Sequence, residues 1–461
     1  MQAEMDSAAI LAILEREMVV ALGCTDVAAI AYAAALARDA ARAAAEAKAT
    51  AAAAGGIQKI RLRASPNIIK NAMGVGIPGT RFRGMAQAAA LGALAGKADR
   101  GLTALEGLRQ EEGDAAASLV ASGLVHIETF EGGAKLHIEV EVELAGGRGR
   151  VVIEEEYDRV VLVEADGIPL QRQGQENDGV GKTPPHALPS LAALVDFVES
   201  VDSRQLGIVR KAIELNTAIA EEGLSGDYGL GVGKTLRDNM TRGLLADDLL
   251  GQAMAATAAG VDARMAGSDF PVVATTGSGN QGITATLPVL VAGRRTGADP
   301  ERILRAVALS HLVTISIKGK FGALSGLCGA PVAGTGAACG IVWLLGGSAD
   351  AVGQAVQNMV GNISGMVCDG AKASCALKAS TSAAAAVQAA LLAISGKSVS
   401  GLEGIVDAEP ERSIDNLARL ANEGSPAMDA LILSIMIGKG EGRSAGRRPG
   451  PGAPPEEGPQ P

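Results

Sequence analysis

Three cysteines, Cys328, Cys368 and Cys375, are the side chains of this sequence best suited to unusual chemistry. Each lies in a Gly/Ala-rich stretch that carries almost no charge. Thiolate is a soft ligand, and three thiolates in an apolar shell can hold an iron–sulfur cluster with one iron left open as a Lewis acid. The chain has no Cys-x-x-Cys pair, so ferredoxin and zinc-ribbon patterns do not fit. Considered alone, such cysteines are more often core filler.

Five ordered stretches of the chain add a resemblance to known proteins. These stretches are Ala21–Asp26, Ser65–Thr80, Gly277–Ile283, Lys318–Gly329 and Asn358–Cys375. They resemble the L-cysteine desulfidase family, which overlaps an uncharacterised family related to the alpha chains of iron–sulfur serine dehydratases. Here Cys24-Thr25-Asp26-Val27 stands where the family usually has Cys-Thr-Glu-Pro. The resemblance implies a [4Fe–4S] cofactor held by Cys328, Cys368 and Cys375.

The resemblance also implies a role for Cys24, because the family's cysteine in this motif is distinct from the cluster ligands and is taken to act on the substrate as a base. Gly23 favours a turn before the thiol, and a helix N-terminus is expected to lower the thiol pKa. Two alternatives stay open: Cys24 is a packed thiol, or it is a fourth ligand of the cluster. Cys339 has no counterpart in the family and is predicted to be a core residue.

Two polar clusters are candidates for binding an amino-acid substrate. The first follows the first predicted strand, where hydroxyl, amide and ammonium groups could hold a carboxylate; its members are Ser65, Asn67, Lys70 and Asn71. A helix N-cap explains the same residues and is compatible with anion binding. The second cluster lies in a Gly-rich loop resembling one in serine dehydratases, with two lysines further along the chain; its members are Ser278, Asn280, Gln281, Lys318 and Lys320. A simple turn and solvated surface lysines are the alternatives.

Composition narrows the class of protein. The chain has 461 residues, a net charge of −10 and five cysteines. The length allows a large core, the negative charge argues against a nucleic-acid partner, and the odd cysteine number indicates a reducing cytoplasm. The first seven residues include Glu4 and Asp6, which speaks against a secretory signal. A homo-oligomer is an open option.

Two charge-free runs, residues 271–293 and 321–349, are long enough to cross a membrane. The first contains the polar, turn-like segment Thr275–Gly282, and aromatic residues make up only 2% of the chain. A lipid-exposed span would not contain such a turn. A membrane protein would also be expected to carry a belt of aromatic residues at each membrane interface. We therefore predict closely packed buried helices and no membrane partner.

Periodicity predicts an α+β fold with mainly helical structure. Helix is predicted over residues 7–54, 85–124 and from 191 onward, and a strand over 57–64. Short β-branched and alternating runs in 125–167 predict an antiparallel meander with one wet face, and residues 271–275 read as a buried strand. The predicted divisions are an N-terminal helical and α+β lobe (1–167), a linker (168–190), a helical cluster-binding domain (191–440) and a disordered tail (441–461).

These observations together predict a cluster-dependent β-elimination. With L-cysteine the products would be pyruvate, ammonia and hydrogen sulfide, and with L-serine water would replace the sulfide. The resemblance favours L-cysteine; the residues themselves do not discriminate sulfur from oxygen. Lower-ranked alternatives are a pyridoxal-phosphate lyase and a non-enzymatic membrane protein.

Overall fold

The computed structural model describes residues 6–48, 56–132, 134–172, 188–321 and 325–441. Within these ranges the helices are α1 (Ser7–Glu17), α2 (Thr25–Ala47), α3 (Pro66–Ala72), α4 (Met85–Ala95), α5 (Gln110–Ala121), α6 (Leu191–Ser200), α7 (Gly207–Ser225), α8 (Val232–Thr241), α9 (Leu249–Ala266), α10 (Gly279–Thr296), α11 (Pro300–Phe321), α12 (Gly329–Leu344), α13 (Ala349–Ile363), α14 (Cys375–Ile394), α15 (Pro410–Arg419) and α16 (Ser425–Glu441). The strands are β1 (Met18–Ala21), β2 (Ile57–Ala64), β3 (Val125–Thr129), β4 (His137–Leu144), β5 (Arg148–Glu154), β6 (Val160–Ala165), β7 (Ile168–Arg172) and β8 (Val272–Thr275).

The predicted α+β class is confirmed, with a helical body beside a six-stranded sheet of order β3-β2-β4-β5-β6-β7. One face of the sheet is apolar and packs against α2 and α4. The other face carries alternating charges, and Arg150 illustrates how they are paired: it donates to Glu139 at 2.7 Å and to Glu164 at 2.7 Å. Strict alternation along β4 produces these two faces, because successive side chains of a strand point in opposite directions.

The helical body has α12 near its centre. This helix is Gly/Ala-rich and packs against α10, α11, α13 and α14. Small side chains allow this close packing: a Cβ atom on Gly336 would lie 2.2 Å from the carbonyl oxygen of Ser310 on α11. Helix α12, which lies in the second charge-free run, is thus buried within the protein, as predicted.

A two-stranded antiparallel sheet connects the N-terminal segment to this helical body. Strand β1 pairs with β8, with Met18 opposite Thr275 and Ala21 opposite Val272. Strand β8 confirms the strand predicted at 271–275, whereas the prediction of continuous helix over 7–54 is wrong at β1. There the β-branched residues Val19 and Val20 favour extended backbone and find a partner strand.

Several predicted boundaries need correction. The helix predicted over 85–124 is broken into α4, a 3₁₀ turn (Ala98–Thr103) and α5. The meander is not wholly antiparallel, because β3 pairs with β2 in parallel while β4 to β7 form antiparallel pairs. The first five residues of the predicted linker form β7, which pairs with β6. Residues 173–187 of the linker and 442–461 of the tail lie outside the described residues, and the division into domains stays a prediction.

One helix among the described residues, α14, is long and apolar enough to cross a membrane by length and composition. Of its most apolar window, 56% is buried inside the protein, as is common for a core helix.

Candidate active site

Helix N-termini from distant parts of the chain meet at one cavity. Cys24 is the N-cap of α2, Ser278 is the N-cap of α10, Cys328 is the N-cap of α12, and Cys375 is the first residue of α14. All of these residues line the same cavity. The N-terminus of a helix carries a partial positive charge and free N–H groups, so their convergence favours a site for anionic groups.

Cys328 and Cys368 are held side by side by a short backbone bridge. The Cys328 amide donates to the carbonyl of Met366 at 2.8 Å, and the Cys368 amide donates to the carbonyl of Gly326 at 2.8 Å. The loop after Cys368 then packs on α3 at Gly370. There φ is +94°, and a Cβ atom would lie 2.2 Å from the Lys70 carbonyl oxygen, so only glycine allows this approach.

The three cysteines fit the donor set of an iron–sulfur cluster. None is in a disulfide, and all three line the cavity together. Burial raises the pKa of Cys328 to about 12 and also raises the pKa of Cys375, and binding to a metal would favour the thiolate form of both. Within the described residues, no group of three or more His, Cys, Asp or Glu side chains is placed to hold a single ion. A cluster several ångströms across takes ligands spaced more widely than one ion does.

Cys24 lines the same cavity and belongs to a buried network with Asp26. Its thiol donates to Asp26 Oδ2 at 3.2 Å, and Asp26 Oδ1 accepts from Asn71 Nδ2 at 3.2 Å and from the Tyr157 hydroxyl at 3.1 Å. The expectation of a lowered thiol pKa is wrong. Burial first, and then the Asp26 carboxylate, raise the pKa of Cys24, while Arg264 offsets part of the effect.

Arg264 fixes the backbone just before the start of α2. Its guanidinium donates from Nη2 to the Gly23 carbonyl at 2.7 Å and from Nη1 to Asn280 Oδ1 at 3.0 Å. Only 3% of this residue is exposed. It therefore fixes the backbone next to Cys24 and ties it to the N-terminal turn of α10.

Of the first predicted substrate cluster, Asn67, Lys70 and Asn71 line the cavity and Ser65 does not. The Ser65 hydroxyl donates to the Lys135 carbonyl at 3.0 Å, so it serves the junction of β2 with β4. The ammonium of Lys70 pairs with Asp429 on α16 at 2.7 Å. Asn71 orients Asp26, as described above.

Of the second cluster, Ser278, Asn280, Gln281 and Lys318 line the cavity and Lys320 does not. Lys320 is partly exposed and pairs with Asp415. The Ser278 hydroxyl caps α10 by accepting a hydrogen bond from the backbone N–H of Gln281 at 3.4 Å. Gln281 packs so closely on Gly329 that a Cβ atom there would lie 2.7 Å from its side-chain carbon Cδ.

Sequence reasoning did not assign four further cavity residues: Asp26, Tyr157, Arg264 and Lys378. Asp26 had a signal, because it stands where the resembling family has a carboxylate. Tyr157 comes from the turn after β5 and Arg264 from the middle of the chain, and neither belongs to a motif. Lys378 lies one turn into α14 and pairs with Asp369. Only the folded chain brings these residues to the cavity.

Residues 99–434 match the sequence profile of the family described as the serine dehydratase alpha chain. The chain belongs to this family, because the match covers well over half of its length. The matched range contains Lys318 and the three clustered cysteines but not Cys24. Membership indicates a serine-dehydratase-like enzyme, that is, a lyase.

Curated relatives match nearly the whole chain. A UPF0597 protein of Oleidesulfovibrio alaskensis is 42% identical over 433 residues, which is 93% of this chain and 97% of the relative. UPF0597 proteins of Photobacterium profundum and Alkaliphilus metalliredigens are 40% and 39% identical, each over 93% of this chain and over 97% and 94% of the relative. Their names state no activity.

Proposed function

We propose that this protein is an L-cysteine desulfidase that depends on a [4Fe–4S] cluster. In the proposed reaction, L-cysteine and water give pyruvate, ammonia and hydrogen sulfide. The observation that carries the proposal is one cavity lined both by Cys328, Cys368 and Cys375 and by the buried Cys24–Asp26 pair. The first set offers ligands, and the second offers a group that can move a proton.

Cys328, Cys368 and Cys375 would hold the cluster. When bound through three protein thiolates, such a cluster supplies a Lewis-acidic iron for the leaving group. The chain's own contribution is the anion-favouring set of helix N-termini, which stabilises thiolates that burial alone disfavours.

Cys24 and Asp26 would remove the proton from Cα. The thiol of Cys24 already donates to Asp26, and burial raises the pKa of Asp26, so this carboxylate accepts the thiol proton more readily than an exposed aspartate would. Transfer to Asp26 leaves a thiolate that can take the Cα proton as the Cβ–S bond breaks. The sulfur leaves with the bonding electron pair as hydrosulfide, and transfer of the proton held by Asp26 to it gives hydrogen sulfide and restores the carboxylate. The aminoacrylate formed tautomerises to an imine, which water hydrolyses to pyruvate and ammonia.

Asn71, Tyr157 and Arg264 would hold this base in place. Asn71 and Tyr157 donate to the Asp26 oxygen that the thiol does not use. Arg264 anchors the Gly23 carbonyl and offsets part of the rise in the pKa of Cys24. A fixed base needs no reorganisation at the moment of proton transfer.

L-Serine is the second candidate substrate, and the observation that favours it is membership of the serine dehydratase alpha chain family. The same residues would act in the same way, with hydroxide in place of the thiolate as leaving group. Sulfide release separates the two reactions.

The test is anaerobic purification followed by iron and acid-labile sulfide analysis, and by assays of pyruvate, ammonia and sulfide with each amino acid. We expect about four irons per chain, and a larger kcat/KM for L-cysteine than for L-serine. A larger value for L-serine would establish the second candidate. Iron-free protein without activity on either substrate would overturn both.

The same preparation separates the remaining alternatives by colour. A cluster gives a brown protein with a broad absorption shoulder, and a pyridoxal-phosphate lyase would be yellow with a sharp imine band. A non-enzymatic membrane protein would give neither colour nor pyruvate.

We further propose a cytoplasmic enzyme whose partner is a small amino acid and neither nucleic acid nor membrane. All five cysteines lie in the described residues and none forms a disulfide, which suits a reducing compartment. Fractionation of cells followed by immunodetection checks the location.

A further inference from the structure

Cationic side chains from the four helices α3, α9, α11 and α14 line the cavity, and most of them already have a partner. Lys70 pairs with Asp429, Arg264 donates to Gly23 and Asn280, and Lys378 pairs with Asp369. Lys318 is the exception. Among the residues that the structure describes, its ammonium has neither a hydrogen bond nor an ion pair and only lies over the Phe321 ring, 5.8 Å from the ring centroid.

This free ammonium is also buried. Only 7% of Lys318 is exposed, and burial lowers its pKa to about 8. A buried charge without a partner is costly, and such groups normally neutralise, pair or bind an ion. Lys318 lies on α11, whose C-terminal turn reaches the cavity. An anion that enters the cavity therefore finds one cation not yet used by the protein.

A second unused group lies in the same wall. Gln281 lines the cavity, and its Oε1 is buried with no hydrogen-bond donor among the described residues. An unused acceptor and an unused cation are complementary to a molecule that carries both an ammonium and a carboxylate. An α-amino acid has this pair of groups.

We propose that Lys318 binds the α-carboxylate of the substrate and thereby restricts the site to free α-amino acids. The proposal rests on the proposed lyase function and deepens it. The Cα proton has to face Cys24 and the β-substituent has to face Cys328, Cys368 and Cys375. The carboxylate then needs a cation that is not otherwise engaged, and Lys318 is the candidate that the cavity offers.

The first test measures binding and does not require turnover. L-Alanine has no β-leaving group, and L-alaninamide differs from it by lacking the carboxylate. In anaerobic wild-type enzyme we expect L-alanine to raise the melting temperature or to bind in calorimetry, and L-alaninamide to bind at least tenfold more weakly. In Lys318→Gln, L-alanine should bind roughly 10- to 100-fold more weakly, the range of one hydrogen bond to a charged group. Affinity for L-alaninamide should change little.

Two further variants complete the set. Lys318→Arg keeps a cation and should recover part of the preference for L-alanine over its amide. Lys320→Gln removes a lysine two residues further along the same helix, which the structure pairs with Asp415 outside the cavity, and should keep the wild-type preference.

The assignment is overturned if Lys318→Gln keeps the wild-type preference for L-alanine over L-alaninamide. It is also overturned if Lys318→Gln loses its iron while Lys318→Arg keeps it, since Lys318 would then neutralise the cluster instead of the substrate. If Lys318→Gln loses the preference that the wild-type enzyme shows, but the wild-type enzyme forms no pyruvate from L-cysteine or L-serine, then Lys318 stays assigned and the proposed function is refuted.

Discussion

Cys328, Cys368 and Cys375 share their Gly/Ala-rich surroundings with Cys339, and their positions in the fold separate them. The first three line the cavity. Cys339 lies inside α12, fully buried, with its thiol 3.7 Å from the Val352 carbonyl. The same residue type thus has two environments, one suited to ligands and one to core packing.

Replacing any one of Cys328, Cys368 or Cys375 by serine should deplete the cluster, because a serine hydroxyl is a poor substitute for thiolate. Iron and acid-labile sulfide content of anaerobically purified protein measure the effect. Cys339→Ser is the matched control and should keep its iron. Normal iron in all three variants would refute the ligand assignment.

At the base, Cys24→Ala should keep the iron and lose roughly 10²–10⁴-fold in kcat, because the variant lacks the proton acceptor and retains the three ligands. Asp26→Asn should retain the cluster and lose activity as well, since the thiol of Cys24 then has no carboxylate to receive its proton. Activity and iron content are measured on the same samples. If Cys24→Ala loses iron to the same extent as the variants of the clustered cysteines, Cys24 is a fourth ligand and another group is the base.

Among the secondary-structure elements, α11 carries Lys318 and α12 begins directly after Cys328. The contact between these two helices therefore sets the separation of the two sides of the cavity. Their contact has no room for a side chain at Gly336, where a Cβ atom would lie 2.2 Å from both the Ser310 carbonyl and the Thr314 hydroxyl. Glycine here sets the distance between the two helices.

Gly336→Ala should therefore destabilise the protein by about 1–3 kcal/mol, the usual cost of overpacking a core. Thermal unfolding under anaerobic conditions measures it as a lower melting temperature. The control is Gly438→Ala on α16, where an added Cβ atom would meet nothing within 4 Å, and where alanine should be neutral or slightly stabilising. Equal melting temperatures for the two variants would contradict the packing argument.

For the molecule as a whole, His311 connects three elements around β8. It lies on α11, fully buried, with Nδ1 2.8 Å from the Thr275 hydroxyl on β8 and Nε2 3.0 Å from the Thr286 hydroxyl on α10. Burial lowers its pKa to about 3. The ring thus stays neutral in the folded protein at pH values where the unfolded chain binds a proton.

The sign of the pH effect follows from this difference. Below about pH 6.5 the unfolded chain takes up a proton at His311 that the folded protein does not, so stability falls as the pH drops towards 3. Between pH 7 and pH 5 this group should account for roughly 2 kcal/mol of lost unfolding free energy. Urea unfolding at both pH values should show a smaller loss for His311→Gln than for wild type, with His126→Gln on exposed β3 as control. An equal loss in wild type and His311→Gln would refute the assignment.

Local patterns in the sequence were enough to predict β2, β8 and the predominance of helix. Alternation in β4 and unbroken Ala-rich runs in α2 are properties of neighbouring residues, so the chain alone determines them. The pairing of β3 with β2 in parallel was not predictable in this way. This pairing requires α3, α4 and α5 to return the chain to the same edge of the sheet, so it depends on contacts between residues far apart in the sequence.

The residues of the candidate site likewise fall into those that the sequence predicted and those that only the folded structure revealed. Motifs along the chain identified Cys24, the clustered cysteines, Asn71, Gln281 and Lys318, because a motif keeps its residue types in order. The tertiary structure added Asp26, Tyr157 and Arg264, and it turned Ser65 and Lys320 away from the cavity. Whether a lysine of the cavity has a partner depends on residues far away in the sequence, as the ion pair between Lys70 and Asp429 shows. The sequence by itself determined which chemical groups the chain carries, whereas burial and pairing, which arise only when distant segments pack together, determined which of them remain free to react.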